Sequence, residues 1–294
     1  MYFLSYWIKA TRPKTLIASL IPVLVGASNY LGNNEINQVS IFVVCGCLMF
    51  IFLIQISTNL ANDFFDSKTG ADLYRENAPE RFVSSGKIEG SKVMIVVITL
   101  LVISLIVGTI TLLVASASVW FFLLGIFCIS LTILYTGGPY PIAYNGLGDI
   151  FVILFFGLVA VEGTNYLLCS ANSDGYEAHI GSALAVGFLI NNLLIVNNYR
   201  DHENDSRVGK NTSIVLLGKK FGISLFAIGF LLPIFHGYLS GNLLVILILI
   251  PSVLSYIFLF KSDQLKYANL ALAFSALSVL VYGTVSIMHQ FSFF

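Results

Sequence analysis

Apolar residues gather along this chain in nine runs, at 14–31, 39–61, 93–114, 117–135, 149–168, 180–199, 219–239, 241–260 and 267–288. A helix needs about 20 mostly apolar residues to cross some 30 Å of hydrocarbon, and each run is close to that length. Two pairs of runs, meeting near 115–117 and near 240, are joined so tightly that they predict helical hairpins. The pattern therefore predicts an all-α, polytopic membrane protein of about nine transmembrane helices, read as one membrane-embedded domain over 1–294.

Composition agrees with that pattern. Hydrophobic residues make up 57% of the 294 and charged residues only 10%, far below the quarter or so typical of soluble domains. The positions of the basic residues then set direction. All fifteen Lys and Arg fall in four clusters. Lys9, Arg12 and Lys14 stand at the first run. Lys68, Arg75, Arg81, Lys87 and Lys92 follow the second, Arg200, Arg207, Lys210, Lys219 and Lys220 follow the sixth, and Lys261 and Lys266 follow the eighth. With nine crossings all lie on one face, and the loops 32–38, 115–116, 169–179 and 240 carry none. The positive-inside rule makes the basic face cytoplasmic, with the N-terminus on it. In a bacterial cell this predicts a multi-pass protein of the inner (plasma) membrane. The first apolar run lacks a small-residue cleavage site and reads as a retained helix. The four cysteines sit in or beside apolar runs and read as reduced thiols. The basic residues track topology and form no nucleic-acid reading surface.

Polar residues inside the runs carry the next signal. At the end of the second run stand Gln55, Asn59, Asn62, Asp63 and Asp66, spaced 0, 4, 7, 8 and 11, which is one helix face. The sixth ends in Asn191, Asn198, Asp201 and Asp205, spaced 0, 7, 10 and 14, again one face. Amides and carboxylates within a membrane helix are costly unless they meet a partner or a wet cavity. Singly, each reads equally well as a cap or an interfacial residue. Two matching stripes, four spans apart, suggest a loose repeat closing around one cavity.

Carboxylates stacked at helical spacing repel one another unless a hard cation lies between them. Mg²⁺ prefers one or two carboxylates plus phosphate oxygens. Arg81 and Lys210 follow the stripes and suit the remaining phosphate charge. The stretch 135–149 offers Gly137, Gly138, Pro139 and Pro141 beside Tyr135, Tyr140 and Tyr144, aromatic faces fit to stack on a ring. An interfacial aromatic belt with turn residues is the competing reading. Asp149 reads either as a partner of an acceptor hydroxyl or as a helix cap.

At these residues the chain resembles the UbiA superfamily of intramembrane prenyltransferases, in the branch acting on 1,4-dihydroxy-2-naphthoate. The resemblance rests on RPKTL at 12–16, NLANDFFDSKTGAD at 59–72, RFVSSGKI at 81–88, YTGGPYPIAYNGLGD at 135–149, GTNY at 163–166 and NNYRDHENDSRVGKNT at 197–212. It implies a helical bundle around a central cavity, open laterally to lipid. It also implies Mg²⁺ held by Asn62, Asp63, Asp66, Asp201 and Asp205, and diphosphate met by Lys210, beside the Arg81 that the charge pattern offers. Asp66, Asp201 and Asp205 would carry catalysis; the residues of the 135–149 stretch themselves put Tyr135, Tyr140 and Asp149 at the acceptor. The implied partners are a polyprenyl diphosphate, an aromatic acceptor and membrane lipid. The implied reaction gives a demethylmenaquinol with loss of CO₂. Glu162 departs from the branch and reads first as a hydrogen-bonded structural carboxyl. Asp72 stands six residues after Asp66 and reads as a turn or a metal residue alike. The alternatives are a different aromatic acceptor or an ion-coupled secondary transporter. A CDP-alcohol phosphotransferase fits poorly, because Asp66 is followed by Ser67 and Lys68.

Overall fold

The computed structural model describes residues 2–72 and 80–291. Arg75 and the side chain of Lys14, both counted in the charge pattern, lie outside the described residues. The described chain is helical: α1 (Tyr2–Ala10), α2 (Pro13–Leu31), α3 (Gln38–Thr69), α4 (Gly90–Val114), α5 (Val119–Leu134), then a 3₁₀ turn at Ile142–Tyr144. Next comes one continuous rod made of α6 (Gly148–Val152), a π-helical stretch Ile153–Glu162 and α7 (Gly163–Asn172). It is followed by α8 (Ile180–Arg207), α9 (Ser213–Leu217) and α10 (Lys219–Leu239). A 3₁₀ turn at Leu243–Ile248 leads into α11 (Leu249–Leu259), and α12 (Leu265–Gln290) closes the bundle.

Among the described residues, six helices are long and apolar enough to cross a membrane: Gln38–Thr69, Gly90–Val114, Gly148–Asn172, Ile180–Arg207, Lys219–Leu239 and Leu265–Gln290. Shorter apolar helices at Ser19–Leu31, Val119–Leu134 and Leu243–Leu259 stand at the other three expected positions. The tight joints fall where the pattern put them, with Ser116 at φ 51° and Gly241 at φ 77°.

The local chemistry accounts for the ends. Pro13 opens α2 at its first turn, where a missing N–H costs nothing. Asn37 caps α3, its side chain accepting from the Ser40 N–H at 2.8 Å. Gly70, at φ 75°, ends α3 in the left-handed conformation, its N–H donating to the Asp66 carbonyl. That glycine turns the chain immediately after the first aspartate motif and holds the motif at a helix end.

α8 forms the centre. Two thirds of its apolar window is buried, against 17% for α3 and α4. It packs on the π-helical stretch, α10 and α12. The π-helical stretch lies against it backbone to backbone: a Cβ at Gly157 would stand 2.6 Å from the Ala183 carbonyl oxygen, and one at Gly187 2.6 Å from that of Ile153. Backbones this close pack as membrane helices do, through small residues. Large apolar side chains such as Ile95, Ile106, Trp120 and Ile250 face outward, as lipid-facing surfaces require. All four cysteines are free thiols.

Candidate active site

The helical spacing of the first stripe carries it onto an inner face. Asp63 and Asp66 are both buried, yet both line one chamber of about 350 Å³ at the end of α3. The Asp63 Oδ2 accepts from the backbone N–H of Phe82 (3.1 Å) and of Val83 (3.4 Å). This fixes the 80–89 loop, and with it Arg81, over the motif. Asp66 accepts from Arg81 Nη2 at 3.0 Å and from the Tyr144 hydroxyl at 2.8 Å. Lys210 Nζ stands 3.9 Å from the same carboxylate and 5.2 Å from the centre of the Tyr144 ring. Arg81 also reaches Asp72, at 3.5 Å through Nε. Asp72 lies off the chamber wall and so helps to position the arginine. Asn62 accepts from Thr136 at 2.8 Å.

The second stripe arrives from α8. Asn198, Asp201 and Asp205 line the same chamber. Arg200, buried beside them, grips Asp201 through two bonds of 2.6 and 2.7 Å. Two backbone ties hold the motifs together: Asn204 donates to the Ala71 carbonyl at 2.8 Å, and the Asn211 N–H donates to the Tyr144 carbonyl at 3.1 Å. The second tie places Lys210 above Tyr144. The side chains of Lys9 and Arg12 complete the wall.

Charges here are paired, but not spent. Among the described residues no three His, Cys, Asp or Glu stand close enough to hold a metal on their own. Asp66 and Asp72 instead share Arg81, and Asp201 pairs with Arg200. Asp63 Oδ1 is nevertheless buried with no hydrogen-bond partner, and so are Arg81 Nη1 and Arg200 Nη1. An unspent hard-oxygen acceptor beside unspent guanidinium donors is a site for a cation and an oxyanion together. The residues present thus fit Mg²⁺ bound with a diphosphate. Tyr144 is held protonated. Burial first, and then the Asp66 charge, raise its hydroxyl above the ordinary phenol range, which keeps it a donor.

The acceptor candidates separate. Tyr135 lines both this chamber and a second, apolar one. Tyr140 is 64% exposed and lines neither; the turn between Pro139 and Pro141 leaves it outside, and Tyr144 is the ring brought to Asp66. Asp149 is buried on the chamber wall, but Asn191 donates to one oxygen at 3.0 Å and the Ser213 hydroxyl to the other. Its contacts tie α6, α8 and α9 together. Glu162 lies off both chambers, accepting from the Tyr176 hydroxyl at 2.8 Å and the His179 N–H at 3.1 Å. The structural reading of that carboxyl fits these contacts. Arg12 and Arg200 are not among the predicted site residues, and Tyr144, read as an aromatic face for a ring, instead bonds Asp66. For Arg200 the available signal was its place beside Asp201 within the stripe.

The apolar chamber, also about 350 Å³, continues inward from the polar one. Thr15, Asn62, Tyr135, Leu193, Leu194 and Asn197 line both. Along α3 its wall runs from Asn62 to Gly46, sixteen residues or about 24 Å of helix. Phe50, Phe121, Phe151, Phe155, Phe156 and Leu167 are among its lining.

A membrane bundle that joins a charged head chamber to a long apolar one suits an amphiphile with an anionic head. The model of the UbiA prenyltransferase family matches residues 19–284, and the chain belongs to that family. It is 34% identical to the 1,4-dihydroxy-2-naphthoate octaprenyltransferase of Haemophilus influenzae over 221 residues, 73% of this chain and 70% of the relative. Identity to the enzyme of the same name from Bacillus subtilis is 30%, covering 75% and 68%. Among solved structures, the fold matches an apo UbiA homologue from Aeropyrum pernix with a TM-score of 0.70 at 16% identity, over 95% of this chain and 98% of that one. A UbiA homologue from Archaeoglobus fulgidus bound to GPP and Mg²⁺ matches at 0.60 and 20% identity, over 96% and 99%.

Proposed function

We propose that the protein transfers a polyprenyl chain from its diphosphate to 1,4-dihydroxy-2-naphthoate, releasing diphosphate and CO₂ and giving a demethylmenaquinol. The observation that carries this reading is the shared wall of the two chambers. Unspent arginine donors and a free carboxylate oxygen sit at one end, and an apolar passage leads away from them. The names of the relatives supply the acceptor.

In this mechanism Arg81, Arg200 and Lys210 draw the diphosphate into the polar chamber. Mg²⁺, when held by Asn62, Asp63, Asp66, Asp201 and Asp205, supplies charge neutralisation of the leaving group. Breaking the allylic C–O bond places the bonding pair on diphosphate and positive charge on the prenyl carbon. The ring carbon bearing the carboxylate attacks that cation. Loss of CO₂ then returns the C–CO₂⁻ electron pair to the ring and restores its aromaticity. The apolar wall keeps water from the cation. Tyr135, at the junction of the chambers, faces the acceptor, and Tyr144 and Asp149 position Lys210 and α9 around it. The whole chain acts as one unit. Among the described residues, the six long apolar helices and the three shorter ones cross the plasma membrane, with the N-terminus and the chamber mouth cytoplasmic.

The test uses purified protein in lipid nanodiscs with Mg²⁺, octaprenyl diphosphate and 1,4-dihydroxy-2-naphthoate. Prenylated naphthalenediol by mass spectrometry with equimolar CO₂ is the expected result. Product only with 4-hydroxybenzoate moves the protein to another acceptor class. Ion-gradient-driven uptake into liposomes with no product makes it a transporter.

A further inference from the structure

Four glycines line the apolar chamber: Gly46, Gly108, Gly125 and Gly163. Two have a packing reason. A Cβ at Gly46 would stand 2.1 Å from Thr111 Oγ1, and one at Gly108 3.2 Å from the Phe50 ring, so these residues let α3 and α4 close together. The other two have none. A Cβ at Gly125 or Gly163 meets nothing within 4 Å, although both residues are helical and neither has a positive φ. Their missing side chains leave space in the chamber itself.

The two also share one level. Phe121 on α5 stacks on Tyr166 of α7, with ring centres 4.3 Å apart and planes within 6°, and Tyr166 meets Tyr176 edge-on. This stack stands at the apolar end of the chamber, with Phe121 on its wall. Gly125 lies four residues, and Gly163 three, toward the polar end from their partners in the stack. Each is therefore about one turn above it. Measured from the polar end, Gly125 is ten residues from Tyr135, or about 15 Å. Carbon–carbon bonds of about 1.5 Å give an extended isoprene unit a length on the order of 5 Å. The first two units of a prenyl tail thus end short of this level, the third reaches it and later units cross it.

We propose that Gly125 and Gly163 set the donor chain-length preference, by leaving bare the stretch of wall that the third and later isoprene units pass. This rests on the prenyl-transfer reading above and names its specificity determinants. A side chain at either position enters the chamber without straining the helix and obstructs long tails more than short ones.

The experiment compares octaprenyl with geranyl diphosphate, each with 1,4-dihydroxy-2-naphthoate, in wild type, Gly125→Leu and Gly163→Leu. The readout is the ratio of kcat/KM for the long donor to that for the short one. A tenfold or greater fall in this ratio is expected for each leucine variant. Gly125→Ala, which adds one carbon, is expected to lower it two- to threefold and serves if a leucine variant does not fold. An unchanged ratio in variants that make product overturns the chain-length proposal and leaves the transfer reading intact. A wild type that prenylates no aromatic acceptor overturns both.

Discussion

Asp63 has two visible tasks, and Asp63→Asn separates them. Its Oδ2 anchors the loop that carries Arg81, through two backbone donors at 3.1 and 3.4 Å. Its Oδ1 is buried and unpartnered. An asparagine of the same shape can keep the two backbone contacts but turns charge-assisted bonds into neutral ones. Such bonds are worth about 1.5–3 kcal/mol against about 0.5–1.5 for neutral ones. One of the two is long, so the anchor weakens by roughly 1–2 kcal/mol in total. Even if all of that appeared in the transition state, activity would fall about fivefold to thirtyfold, at 1.4 kcal/mol per decade. Losing a preorganised charge aimed at the leaving group costs more, on the order of 10²–10³. The expectation is a loss of kcat above a hundredfold, a raised Mg²⁺ requirement and only a few degrees off the melting temperature. Initial rates against Mg²⁺ concentration and a thermal melt in detergent measure all three. A loss below thirtyfold with an unchanged Mg²⁺ half-saturation would show that Asp63 only anchors the loop.

Arg81 spans Asp66 and Asp72 with two different nitrogens, a reach that a single ammonium cannot reproduce. Arg81→Lys is expected to raise KM for the prenyl diphosphate about tenfold, equivalent to about 1.4 kcal/mol; an unchanged KM removes the arginine from head-group binding. Tyr144 is protonated more firmly folded than unfolded, so its contribution to stability is complete below the ordinary phenol value of about 10 and is lost as pH rises beyond it. The melting temperature should therefore drop above pH 10 less steeply in Tyr144→Phe than in wild type, and equal slopes refute the burial argument. Glu162→Gln weakens two bonds that hold the 173–179 loop, at a cost of about 1–3 kcal/mol. Turnover should stay within about twofold because the carboxyl lies off both chambers; a large loss of kcat at a preserved melting temperature would give Glu162 a role in the reaction.

What could be read beforehand was whatever has a period. The stripes from Gln55 to Asp66 and from Asn191 to Asp205 repeat at helical spacing, and the fold brings Asn62, Asp63, Asp66, Asn198, Asp201 and Asp205 to one chamber. The bundle's hairpins and long helices were legible for the same reason. A membrane helix must satisfy its own backbone, so apolar length alone nearly determines what the segment becomes. The 135–149 stretch has no period. Which tyrosine enters there depends on individual turn dihedrals, with Gly138 at φ 84° and Gly146 at φ 73°. Tyr144 was brought to Asp66 and Tyr140 left outside, a choice that residue type could not make.

The ten-residue π-helical stretch Ile153–Glu162 was invisible for a deeper reason. Adding one residue per few turns changes neither composition nor hydropathy, and the run reads as an ordinary span. Its effect on the site is nonetheless large. On one side it supplies Gly157 to the close contact with Gly187 of α8. On the other it offers Phe155, Phe156, Val159 and Ala160 to the apolar chamber. A regular α-helix advances its faces by 100° per residue, so a packing face and a lining face drift in register over ten residues. A wider helix rotates less per residue, and here it keeps both faces in use along the length of the chamber. Long π-helical runs are rare, and shorter π-bulges tend to occur at functional sites. The stretch ends at Gly163, the residue whose bare wall opens the chamber. The geometry that seats this rod against α8 therefore also shapes the passage that the prenyl tail would take.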